Sequence, residues 1–186
     1  VVGGAGFIGS MLVARLLAEE RVDRVVVLDN LSSGSRELLG ASLDDARVEL
    51  VEGDCGDPAV AARALNGADV VVHLASNPDI ARAVTEPEID FSSGTRLTNC
   101  VVESARRQGV GTMVYASGSG VYGDLGDLEI PEDHGPMLPV STYGASKLAG
   151  EALVCAYAHM FGIRGRAFRF ANVVGPHQTH GVGYDF

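Results

Sequence analysis

Val1-Val2-Gly3-Gly4-Ala5-Gly6-Phe7-Ile8-Gly9-Ser10 opens the chain, and the reading of this stretch decides the fold. Two β-branched residues run into glycines at 3, 6 and 9, after which apolar residues recur at helical spacing through Ile8, Met11, Leu12 and Leu16. The pattern is a strand end, a tight turn and a helix start. A glycine stands at each place where the backbone must turn sharply, approach a pyrophosphate or pack helix on strand. The helix N-terminus then offers free N–H groups and the positive end of its dipole to an anion. Glycines so spaced also occur in plain turns. Against that alternative stands Asp29, which ends the next apolar run, RVVVLD over Arg24–Asp29, twenty residues beyond Gly9. An acid there accepts hydrogen bonds from the adenosine ribose hydroxyls and repels a 2′-phosphate. Asn30-Leu31-Ser32-Ser33-Gly34 follows, with no arginine before Arg36, so NAD is expected rather than NADP.

Outward from this turn, short Val-rich runs alternate with helical stretches. Val48–Glu52, Asp69–Leu74 (DVVVHL), Thr112–Ser117 and Gly165–Phe170 read as strands. Phe7–Glu20, Pro58–Leu65, Glu88–Gln108 (closed by Gly109) and Ser141–Phe161 read as helices. Nearly continuous apolar strands, each followed by a helix, predict a parallel sheet covered on both faces: a doubly wound, Rossmann-type α/β fold. Ligands in such sheets sit at the carboxyl ends of the strands. Asp54 and Cys55 follow the third strand, where an acid can receive the adenine amino group or cap the next helix. Leu74-Ala75-Ser76 ends the fourth strand and lets backbone approach a cofactor, whereas His73, inside the apolar run, reads as packing.

Composition narrows the classes. Of 186 residues 46% are hydrophobic and 20% charged, a globular balance, and the formal net charge of -10 disfavours nucleic acid and anionic membrane as partners. Cys55, Cys100 and Cys155 are too few and too scattered for a disulfide framework or a zinc ribbon. They read as small buried fillers in a reduced, cytoplasmic protein. No apolar run has transmembrane length. Both ends look cut, so residues 1–175 are expected to form the dinucleotide domain. Residues 176–186 would begin a substrate-binding region whose C-terminal remainder is missing from this fragment.

Tyr143-Gly144-Ala145-Ser146-Lys147 carries the chemistry. Its phenol and ammonium stand four apart on one helix face, and Lys147 is the chain's only lysine. A cation there, with a positive nicotinamide, is expected to lower the phenol's pKa and make it a general base and acid.

The loop GGAGFIGS, the segment DNLSSG, the YxxxK pair and the later ANVVGP (171–176) together resemble the extended short-chain dehydrogenase/reductase family. They are most similar to its nucleotide-sugar epimerase/dehydratase branch, and within it to the UDP-sugar 4-epimerases. The resemblance implies a tightly held NAD, reduced and reoxidised within one turnover, and a nucleotide-sugar substrate. Tyr143 would take the 4-hydroxyl proton. Lys147 would hold the nicotinamide ribose, Phe7 and Ile8 would line the pyrophosphate, and Asn172 would approach the substrate diphosphate. Relatives also pair through their two long helices, which implies a homodimer with Ala152 or Leu153 near its axis.

Two departures stand out. Relatives carry Ser or Thr three residues before the valine of a VYG segment, where this chain has Gly118; Ser117 or Ser119 would have to substitute in catalysis and substrate binding. An asparagine that relatives carry early in the helix after the fourth strand is matched here by Gly94. The branch's dehydratases follow the Ser/Thr with an Asp-Glu pair that eliminates water. Ser119-Gly120 occupy those places, which disfavours dehydration. His177 and His180 lie among glycines after Pro176 and read as substrate-loop polarity, with no metal expected. The alternatives are a related nucleotide-sugar reductase or decarboxylase, and a catalytically weakened NAD-binding protein.

Overall fold

The computed structural model describes residues 1–77 and 81–178. Its strands are β1 (Val25–Asp29), β2 (Val48–Glu52), β3 (Val70–His73), β4 (Thr112–Gly118) and β5 (Arg164–Phe170). Its helices are α1 (Phe7–Leu17), α2 (Arg36–Leu39), α3 (Pro58–Leu65), α4 (Glu88–Asp90), α5 (Leu97–Arg107) and α6 (Thr142–Phe161). Every strand pairing is parallel, β1 with β2 and β3–β4–β5 in line.

Val2 joins the two groups. It bridges Leu28 on one side and His73 on the other. Its N–H donates to the Val72 carbonyl at 2.8 Å, while the Leu28 N–H donates to the Val1 carbonyl at 2.9 Å. With Val2 counted as the first strand, the order is the doubly wound one, and the chain reverses direction across the sheet between Val2 and β3. The glycine turn leaves the sheet at that crevice.

Strand side chains feed two apolar layers, as a sheet covered on both faces requires. Val25 and Val27 pack with Ala5, Val13 and Leu39 beside α1. Leu28, Val51, Val71, Met113 and Tyr115 pack with Val101, Val102 and Val154 of α5 and α6 on the other face. At Gly150 and Gly165 an added Cβ would run into Tyr115 and Val154 respectively, so these glycines let α6 lie close on the sheet.

The predicted helix over Glu88–Gln108 is present from Glu88 to Arg107, but not as α-helix throughout. Between α4 and α5, residues Phe91–Arg96 form a π-helical turn. The turn brings Gly94 against α6, where an added Cβ would lie 2.6 Å from Ser146 Oγ and 2.8 Å from its Cβ. Phe7–Glu20 is shorter than predicted, ending at Leu17. Cys155 departs from the reading of all three thiols as buried: it is exposed on α6, Cys100 is half-buried, and only Cys55 is buried. Burial pushes the Cys55 thiol up to about 12, so it is inert. No described helix is long and apolar enough to cross a membrane.

Candidate active site

The three glycines of the first turn are there for different reasons. Gly3 has φ +77, and an added Cβ would meet the Ala75 nitrogen at 2.6 Å. Gly9 lies against the backbone of Gly3 and Gly4. Gly6, the N-cap of α1, has only the Gly3 carbonyl oxygen near its absent Cβ, at 3.6 Å. No side chain caps this helix and no acid stands in its first turn. The open face at Gly6 and the uncapped N–H groups behind it form a cradle that fits a dinucleotide pyrophosphate.

Asp29 borders the cradle. Its Oδ2 accepts the Ala5 N–H and its Oδ1 the Leu31 N–H, each at 2.9 Å. The carboxylate therefore ties the glycine turn to the segment after β1, and each oxygen keeps a lone pair for a ribose hydroxyl. That segment is tightly wound. Leu31 has φ 56, the Ser32 N–H donates to Asn30 Oδ1 at 3.0 Å, and the Ser35 N–H donates to the Ala5 carbonyl at 3.0 Å. Gly34 is buried, and an added Cβ would lie 2.6 Å from Ala5. Ser32 and Ser33 face solvent.

Asp54 is exposed, and its Oδ1 accepts the Gly56 N–H at 2.7 Å. The cap of α3 is Asp57 instead, through the Ala59 N–H at 2.8 Å. Leu74 and Ala75 both donate their N–H to the Val2 carbonyl, at 2.8 and 3.2 Å, which draws this loop over the crevice. His73 is fully buried, with Nε2 3.1 Å from Thr98 Oγ1 and its ring 5.6 Å from that of Tyr115. Burial pushes it down to about 3, so it stays neutral packing.

Ser141 caps α6 through the Gly144 N–H at 3.0 Å and so sets where Tyr143 and Lys147 project. Lys147 is 4% exposed; its Nζ donates to the Ala116 carbonyl at 2.8 Å and lies 5.5 Å from the centre of the Tyr143 ring. Burial lowers its pKa to about 8. The expected lowering at Tyr143 is not what the protein alone produces. Burial raises the phenol above its ordinary value, the Ser76 side chain pulls it down, and Asp90 pushes it up again. Desolvation, which sequence spacing does not reveal, is the largest of these influences.

The serines separate. Ser117 is 3% exposed and its hydroxyl is sealed inside, on the side of Glu151. Ser119 is exposed, in the 3-10 turn Ser119–Val121 that follows β4. Gly118 has extended backbone, φ -153 and ψ 163, and an added Cβ would make only an ordinary contact with the Phe170 carbonyl oxygen, at 3.7 Å. Gly120 packs backbone to backbone on Gly144 in the first turn of α6. Asn172 is exposed in the strand-end segment after β5. His177 curls back to α1, its Nδ1 3.1 Å from Ser10 Oγ. His180 lies outside the described residues, and among them no cluster could hold a metal ion.

Two groups of residues escape the sequence reading. Asp90 is 1% exposed; its Oδ1 accepts from Asn77 Nδ2 at 2.9 Å and its Oδ2 from Thr142 Oγ1 at 2.7 Å. Its one sequence signal is an acid set between Ile89 and Phe91. Arg169 grips Glu151 with two bonds, at 2.9 and 2.8 Å, and donates to the Tyr122 hydroxyl at 3.1 Å and the Glu132 carbonyl at 2.9 Å. It fastens the loop after β4 to α6, and only the fold brings these residues together.

Known proteins resemble this chain along its length. The model of the NAD dependent epimerase/dehydratase family matches residues 1–184. Among curated proteins, the chain is 36% identical over 183 residues to dTDP-glucose 4,6-dehydratase of Streptomyces antibioticus, covering 96% of this chain and 54% of that protein. It is 37% identical over 184 residues to UDP-glucose 4-epimerase of Mycolicibacterium smegmatis, covering 97% and 58%. Among solved structures, a UDP-galactose 4-epimerase superposes with a TM-score of 0.88 at 46% identity, over all of this chain and 59% of the other. The chain thus spans little more than half the length of the relatives it matches.

Proposed function

Because the chain belongs to the NAD-dependent epimerase/dehydratase family, we propose that it is the cofactor-binding part of a protein that inverts C4 of a UDP-sugar. The observation that carries 4-epimerisation over dehydration is the turn after β4. Where elimination of water needs an acid and a base, this chain presents exposed Ser119 and a Gly120 packed on Gly144. Tyr143 is left as the proton carrier, and epimerisation asks for one. The dehydratases among its relatives, at 36% identity, favour the second reading.

Bound in the Gly6 cradle, NAD would supply the hydride acceptor and donor. Gly3, Gly6, Phe7, Ile8 and Gly9 would hold its pyrophosphate, Asp29 and the Asn30–Gly34 segment its adenosine ribose, and Asp54 and Cys55 the adenine edge. Leu74, Ala75 and Ser76 would line the nicotinamide side. Tyr143 would take the 4-hydroxyl proton and return it to the same oxygen once the hydride has come back to the opposite face of C4. Burial raises its pKa, and positive charge brought near the phenol would favour the phenolate. Lys147, pinned by Ala116, supplies part of that charge. Asn172 and the serines at 117 and 119 are the chain's remaining candidates for substrate contact, with Ser119 the accessible one. The exposed face of α6, including Ala152, Cys155, Ala156 and Met160, would pair with its copy in a homodimer.

Incubation of the full-length protein with UDP-galactose should yield UDP-glucose. Tyr143→Phe should slow this by roughly a hundredfold or more while NAD stays bound. A 4-keto-6-deoxy product from dTDP-glucose would select dehydration instead, and bound NAD without any turnover would select a non-catalytic role.

A further inference from the structure

Asp90 is a buried carboxylate that the reaction above does not use. It sits in α4, just before the π-helical turn, and reaches two different parts of the site. Through Thr142 it holds the first turn of α6, one residue from Tyr143. Through Asn77 it holds the loop after β3, one residue from Ser76, whose side chain acts on the same phenol. A carboxylate with 1% exposure and two neutral hydrogen-bond donors keeps much of its field, because neither donor cancels its charge.

We propose that Asp90 is a positioning residue for Tyr143: its carboxylate clamps the start of α6 to the loop after β3 and sets a negative charge on the Tyr143 side of that junction. The inference rests on Tyr143 being the proton carrier.

The described groups that face the phenol are few. Lys147 approaches from α6 itself, Asp90 from α4, Ser76 from the loop after β3, and Tyr115 from β4, where its own phenol is coupled to that of Tyr143. Tyr115 is deeply buried and pushed well above the ordinary tyrosine range, so it stays neutral. The Ser119–Val121 turn adds no ionisable side chain. The negative charge in this set is Asp90.

Tyrosinate absorbance tests the proposal without turnover. The full-length protein, free of NAD, is titrated with base, and the Tyr143 signal is isolated as the difference from Tyr143→Phe in each background. Asp90→Asn keeps the shape and one acceptor while removing the charge, and should lower the Tyr143 midpoint by roughly one pH unit. Thr142→Val keeps the charge and removes one donor that screens it, and should raise the midpoint. A merely structural role would move both variants the same way or neither. A midpoint unmoved or raised in Asp90→Asn overturns the proposal. If Asp90→Asn fails to fold, Thr142→Val decides: a midpoint unmoved or lowered overturns it. Because the readout is spectroscopic, inactivity towards UDP-sugars would sink the epimerase reading and leave this result standing.

Discussion

Asp29 illustrates how one side chain serves the fold and the proposed ligand together. Its spacing from Gly9 marks it in the sequence as a ribose acceptor. The structure adds that it accepts the N–H groups of Ala5 and Leu31. The full-length protein should bind NAD at least about tenfold tighter than NADP, a difference of about 1.4 kcal/mol. Asp29→Ala should narrow that gap and also cost about 1–3 kcal/mol of stability, because two partly buried N–H groups lose their acceptor. Paired cofactor titrations and urea midpoints check both, and equal wild-type curves for the two cofactors would refute the preference. For Tyr143 the sequence shows the spacing and not the surroundings. Spacing places Lys147 beside it, but the cost of burying a phenol depends on β3, β4 and α4, which lie far off in sequence. Asp90 was invisible for that reason: its partners are 13 and 52 residues away.

Among the elements, strands were the most readable. Val48–Glu52 and Pro58–Leu65 have the predicted bounds, and the remaining strands differ by a residue or so at their ends. The π-helical turn between α4 and α5 was not readable. A π-helical turn inserts its extra residue without a proline or any other sequence breaker, so the apolar pattern passes through it. Gly94 is the trace it leaves. Its reason is steric, for an added Cβ strikes Ser146 on α6. Gly94→Ala should therefore lower stability by about 1–3 kcal/mol, the usual range for overpacking. Adding Ser146→Gly should recover part of that loss despite its own helix penalty. Urea unfolding of the single and double variants measures both, and an unperturbed Gly94→Ala would show that α6 can move aside freely.

For the molecule as a whole, the doubly wound order follows from Val2 standing between Leu28 and His73. That position puts His73 in the middle of the sheet and makes stability depend on pH. Its pKa falls from 6.5 to about 3 on folding. Between those values the unfolded chain binds a proton that the folded chain does not, so stability falls as pH drops below 6.5. By pH 5 the loss from this residue should reach about 2 kcal/mol. His73→Gln should flatten the difference between urea midpoints at pH 7 and pH 5; an identical slope would remove His73 as the cause. Assembly belongs to the same scale. The proposed homodimer should sediment as such at micromolar concentration for the full-length protein. Ala152→Arg, at an exposed position of α6, should release monomers with unchanged unfolding. A monomeric wild type would reject the pairing.

The three glycines of the first turn answer to different forms of selection. Gly3 and Gly9 are held in place by the chain's own backbone, so a variant there is lost as the protein folds. Gly6 borders open space, and a methyl group there would leave folding almost untouched while intruding where the pyrophosphate is proposed to lie. A lineage released from the need for its dinucleotide, but still required to fold, would be free to drift at position 6 while keeping 3 and 9.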